Sequence, residues 1–75
     1  MPSALTLKDV LYALEYGRQT LCRFPRQGKP AIWVLEPNGT PVPQRIAEAA
    51  TITADVVCIE RLINGRQVFG WRMAA

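Results

Sequence analysis

Asn64-Gly65 stands between two apolar-rich runs, residues 56–63 and 66–73. No short-range hairpin signal is stronger, because a two-residue type I′ turn needs positive φ at both positions and Asn-Gly supplies it. Counting outward from the turn fixes the pairs: Leu62 with Gln67, Glu60 with Phe69, Cys58 with Trp71, Val56 with Met73. One face then collects Val56, Cys58, Leu62, Phe69, Trp71 and Met73, with Glu60 the only ionisable exception. The other collects Arg61, Arg66 and Arg72 beside Val57, Ile59 and Val68. Residues 51–63 have a second reading. As a helix they would place Ile52, Val56, Ile59 and Ile63 on one side, and Asn64-Gly65 would be the C-cap. The segregation of Trp71 from the arginines and the β-branched pairs favour the strand.

The remaining chain supplies the other elements. Thr6 and Asp9 fit a capping box, and Leu7, Val10, Leu11 and Leu14 form a helical stripe closed by Gly17. Residues 19–24 and 31–36 are short strand-like runs on either side of Pro25-Arg26-Gln27-Gly28-Lys29-Pro30, which reads as a long basic hairpin tip. Trp33 shares a strand face with Ala31 and Leu35 and belongs to the core. Pro37-Asn38-Gly39 ends the second strand as a turn. Pro43 suits the first position of a short second helix whose inward stripe is Ile46, Ala49 and Ala50. The expected architecture is one α+β domain over residues 1–75, in the order helix-strand-strand-helix-strand-strand, with the second-last element open to the helical alternative.

Composition narrows the function. With 49% apolar and 20% charged residues in 75, the chain is a small globular domain, not a disordered tail. No apolar run approaches the roughly 20 residues that span a bilayer. The amino-terminal stretch lacks the basic and apolar regions of a signal peptide. The expected location is therefore the cytoplasm, without membrane contact. Cys22 and Cys58, with no histidine, cannot complete a four-ligand zinc site within one chain. Both thiols sit in strand-like runs and are expected to be buried. No histidine offers a general base, the only serine is Ser3, carboxylates occur singly, and no glycine cluster could cradle a phosphate. Neither an enzyme nor a cofactor is expected.

The net charge of +3 is unevenly distributed. Residues 17–35 hold Arg18, Arg23, Arg26 and Lys29 and no acid, and residues 61–75 hold Arg61, Arg66 and Arg72 and no acid. Clustered base of this kind attracts phosphates, although a charge of this size also serves solubility. Arg23, Arg26 and Lys29 on the first hairpin, with Arg61, Arg66 and Arg72 on the second, are the candidate nucleic-acid contacts.

Residues 44–72 resemble a helix-turn-helix followed by a wing strand. Ile46-Ala47-Glu48 would lie in the first helix, Thr51-Ile52-Thr53 in the turn and 54–63 in the recognition helix. Thr51 stands where that turn usually has glycine, and Asp55 and Glu60 would face a polyanion. More broadly, 13–23, 33–43, 45–50 and 68–73 are similar to small bacterial and phage winged-helix-like proteins. That resemblance implies a compact winged-helix-like domain of the kind associated with phage or mobile DNA. The first functional expectation is a small nucleic-acid-binding protein acting on DNA or a nucleoprotein complex, dimeric if sequence-specific. The alternative is an interaction module that binds and modulates a host protein or nucleoprotein complex. A third expectation is an accessory subunit with no ligand of its own.

Overall fold

A computed structural model describes residues 5–74; Ser3 lies outside the described residues. The elements are α1 (Leu7–Glu15), β1 (Thr20–Arg26), β2 (Lys29–Glu36), β3 (Thr40–Val42), α2 (Gln44–Thr51), β4 (Val56–Ile63) and β5 (Arg66–Met73). The five strands form one antiparallel sheet in the order β3-β2-β1-β5-β4.

The capping box forms at α1. The Asp9 N–H donates to the Thr6 hydroxyl at 3.2 Å, and the Thr6 N–H donates to the Asp9 carboxylate at 2.9 Å. The helix then buries Val10 and Leu14. Its exit differs from expectation: Arg18, with φ 51, takes the left-handed conformation, not Gly17. Gly17 serves close approach instead, because a Cβ there would lie 2.8 Å from the Ala13 carbonyl oxygen.

The first hairpin is tighter than its prolines suggest. β1 and β2 run to a two-residue turn, Gln27-Gly28, with φ +70 at the glycine. Pro25 sits at a break in register between Phe24 and Arg26, beyond the last residue of β1 that pairs with β5. Pro30 likewise lies outside the stretch of β2 that pairs with β3. A missing N–H costs little where no neighbouring strand needs it. The same reasoning explains β3, which the sequence did not suggest. Three residues carry no periodicity, and Pro41 is tolerated because β3 is an edge.

Residues 56–63 are a strand, and this closes the helical alternative. With it goes the recognition helix expected over 54–63: α2 ends at Thr51, the chain turns through 52–55, and Asp55 at φ 70 leads into β4. The strand pairs with β5 along its whole length, with φ 53 at Asn64 and 77 at Gly65 in the turn. The hairpin pairs are those counted from the turn. Pro43 is the N-cap of α2 and not its first helical residue, and the fully buried alanines are Ala47 and Ala50.

Both helices cover one face of the sheet. The core beneath them joins Val10 and Leu14 of α1, Ala47 and Ala50 of α2, and Leu21, Trp33, Leu35 and Val42 of the sheet. Trp71, Met73 and Val56 pack against its margin. Trp33 is buried and meets Trp71 in a tilted pair with ring centroids 5.3 Å apart. Trp33→Ala is therefore expected to cost about 3–5 kcal/mol, and Trp71→Ala, half-buried, clearly less. Paired urea unfolding curves check the ranking, and equal costs would contradict it.

Candidate nucleic-acid interface

β1 and β5 are adjacent and antiparallel, through Leu21–Trp71, Cys22–Gly70 and Arg23–Phe69. The end of β1 consequently lies beside the start of β5, and the Gln27-Gly28 and Asn64-Gly65 turns project from the same end of the sheet. Pairing between the two strands stops at Arg23–Phe69. Beyond it the hairpins part, leaving a cleft of about 200 Å³ lined by Phe24, Pro25, Ile63, Arg66, Gln67 and Val68, among others. The end of the molecule is a two-pronged fork.

Four of the six candidate cations lie at or beside this fork, and Arg61 adjoins it on the reverse face, its side chain running back over Gly70. Arg26 and Lys29 face each other across the first turn, where the Arg26 Nε donates to the Pro30 carbonyl at 2.9 Å. Arg66 opens β5 opposite Ile63 on the second prong. Arg61 lies opposite Val68 on the sheet face turned away from the helices. Arg23 is on the helix-side face, half-buried between Trp33 and Phe69 in register. The cations thus ring the fork on both faces. Arg72 does not join them. It sits at the far end of β5 opposite Val57 and lines a separate cavity of about 550 Å³ with Leu14, Glu15, Arg18, Gln19 and Met73.

Acids are sparse at the fork. Glu60, opposite Phe69, is the one carboxylate in this half of the sheet, and it accepts a hydrogen bond from the Gln67 amide. Glu36 is at the other end of β2, opposite Thr20, and Asp55 precedes β4. The remaining acids of the described residues are on the helices. Among those residues the carboxylates receive side-chain or capping hydrogen bonds from Thr6, Gln44 and Gln67, none of them basic. Arg26, Lys29 and Arg66 are exposed, and among the described residues no carboxylate bonds them.

The aromatic residues of the sheet divide in two. Trp33 and Trp71 pack at the core, but Phe69, on the same face, remains 50% exposed. Phe24 lies half-buried in the cleft wall.

Among the described residues no element covers the reverse face of the sheet, yet Cys22, Val68 and Gly70 are buried. The side chains flanking them provide the shield. The stem of Arg61 crosses Gly70, where an added Cβ would meet Arg61 Cδ at 3.4 Å and the Thr20 methyl at 2.9 Å. Nothing local in the sequence marks Gly70, and the close approach alone reveals its role. Cys58, expected to be buried, is exposed on β4, the outermost strand. Among the described residues no three of Cys, Asp and Glu cluster as a metal ion would need, and no helix is long and apolar enough to cross a membrane.

Burial raises the Cys22 thiol above its ordinary value, the nearby Arg61 charge opposes that rise, and Glu36 adds to it. The folded protein therefore keeps a proton that the unfolded chain releases in the ordinary thiol range. Stability from this group is complete below that range and declines as pH rises through it toward the folded value. Cys22→Ala should flatten the alkaline limb of a stability–pH profile, and in the native parent a thiol reagent should label Cys58 quickly and Cys22 only on unfolding. Equal labelling rates would contradict the burial.

Comparisons with protein-family models, curated proteins and solved structures find no match to the chain.

Proposed function

We propose that the protein binds nucleic acid, gripping the phosphate backbone between its two hairpin prongs. The observation that supports this most is the convergence of Arg23, Arg26, Lys29 and Arg66 on one forked end, with Arg61 on the adjoining reverse face, against the single carboxylate Glu60. Arginine and lysine at a backbone act by charge and counterion release, and such contacts position the ligand without reading sequence. An element able to enter a major groove and read base edges would have to be helical or a ribbon. The segment expected to supply the recognition helix is the strand β4, so this reading keeps only the wing of the winged-helix-like detail, the β4–β5 hairpin. Phe24 in the cleft offers one ring on which an unstacked base can rest.

The interaction-module reading keeps one observation of its own. The reverse face presents Ile32 and Val57, 41% and 39% exposed, around the arginines, with no lysine on its strands apart from the turn residue Lys29. Apolar surface punctuated by arginine is the composition of protein interfaces.

Salt dependence separates the two. Arg26→Glu with Arg66→Glu should leave the fold intact, weaken binding to all sequences alike, and flatten the slope of log K against log salt by about 2. Arg72→Glu, remote from the fork, should leave that slope unchanged. Fluorescence anisotropy with a labelled single strand and a labelled duplex at several salt concentrations makes the measurement. Absence of binding by the parent at low salt would overturn the proposal, and an equal effect of Arg72→Glu would misplace the site.

A further inference from the structure

The outer edge of β4 is unlike a protected sheet edge. β4 is eight residues long, contains no proline, pairs with β5 without a register break and ends the sheet. Natural sheets blunt such edges with short strands, prolines or bulges, because an open row of N–H and C=O groups is a template for another strand. The opposite edge follows that rule: β3 has three residues, one of them Pro41.

Which groups of β4 face outward can be read from one hydrogen bond. The Ala74 N–H donates to the Asp55 carbonyl at 2.6 Å, which marks 55 and 74 as a directly bonded pair. Bonded and non-bonded pairs alternate along an antiparallel ladder. Val57, Ile59, Arg61 and Ile63 therefore spend their backbone groups on β5, and Val56, Cys58, Glu60 and Leu62 turn theirs outward. The Val56 N–H is taken by the Thr53 carbonyl at 3.2 Å, and the other outward groups have no backbone partner among the described residues. Leu62 on this edge is 75% exposed.

We propose that this edge pairs with the same edge of a second copy, antiparallel about a two-fold axis through Ile59, to form one continuous sheet across both copies. The side chains select this occupant and this register. Centring the pairing on Glu60 or on Arg61 would set like charges against each other, which destabilises a cross-strand pair. Centring it on Cys58 would leave the outer part of the strand unpaired. Centred on Ile59, Cys58 faces Glu60, Val57 faces Arg61, and Val56 faces Leu62. Outward groups then meet outward groups: Cys58 and Glu60 exchange backbone hydrogen bonds with Glu60 and Cys58 of the second copy, and the Leu62 N–H reaches the Val56 carbonyl. Exposed Leu62 gains an apolar neighbour. Ile59 meets its own copy and extends the reverse-face row Val34, Cys22, Gly70, Ile59 across the junction. Such pairing is isologous, as a two-fold dimer requires. It does not depend on nucleic-acid binding.

Sedimentation equilibrium of the parent from micromolar to millimolar concentration should show the mass rising from 8.4 kDa toward twice that value. Glu60→Pro deletes an outward N–H that β5 does not use. It should weaken association at least tenfold, by the loss of two symmetry-related hydrogen bonds, while circular dichroism and thermal unfolding stay close to the parent's. The register has its own readout. In a Cys58→Ser background, Ile59→Cys places two thiols across a non-bonded pair with Cα atoms about 4.5 Å apart, within disulfide reach. Mild oxidation should link the copies, whereas Val57→Cys in the same background, facing Arg61, should not. A parent that stays monomeric at millimolar concentration, a folded Glu60→Pro variant that dimerises as well as the parent, or equal cross-linking at 57 and 59 would overturn the proposal. If Glu60→Pro fails to fold, the cross-linking pair decides alone.

Discussion

The pairing of β1 with β5 holds the molecule together. Each hairpin is local, joined by a two-residue turn, and an isolated hairpin is marginal in water. Leu21–Trp71, Cys22–Gly70 and Arg23–Phe69 merge the two into one sheet wide enough to carry both helices. Leu21 at this junction is fully buried beneath them. The same pairing sets the end at which the turns project, and its early stop leaves the cleft between them. Core, sheet and candidate site are therefore three consequences of three residue pairs.

Gly70 shows how closely the two sides of that junction are tuned. On the helix side its neighbours Phe69 and Trp71 are large, and Trp71 packs at a tilt against Trp33. On the reverse side the strand has only hydrogen there, and the Arg61 stem fills the space. A face with no covering layer stays dry at its centre because its own flanking side chains fold over small residues. The Arg61 stem packs over Gly70 while its charge lies near the Cys22 thiol, a division of labour open to long cationic side chains.

Much of this was legible in the sequence wherever chemistry fixes geometry locally. Asn64-Gly65 dictated the β4–β5 register to the residue, and Thr6 with Asp9 dictated the start of α1. Trp33 and Leu35 were recognisable as core from alternation alone. What escaped depends on partners distant in sequence. β3 has too few residues to show a period, and the prolines at 25 and 30 looked like strand breakers until the sheet order showed no neighbour beside them. Cys58 reads as a buried thiol in an apolar run, but its strand is outermost, and sheet order is not written in any one segment. The six candidate cations could be named but not placed. Their separation into a fork cluster and a remote Arg72 follows from β1 and β5 lying side by side, residues nearly fifty positions apart.

The contrast between the two sheet edges sets a limit on assembly. A sheet with two open edges can add copies without end, and its product is a filament. Here one margin is a three-residue strand carrying Pro41 and followed by Pro43, with too few donors to seed another strand. Once β4 is occupied, the margin left opposite it is of this blunted kind. Growth through the sheet then terminates at a closed pair, and the chain can keep an adhesive edge without the hazard of fibril formation.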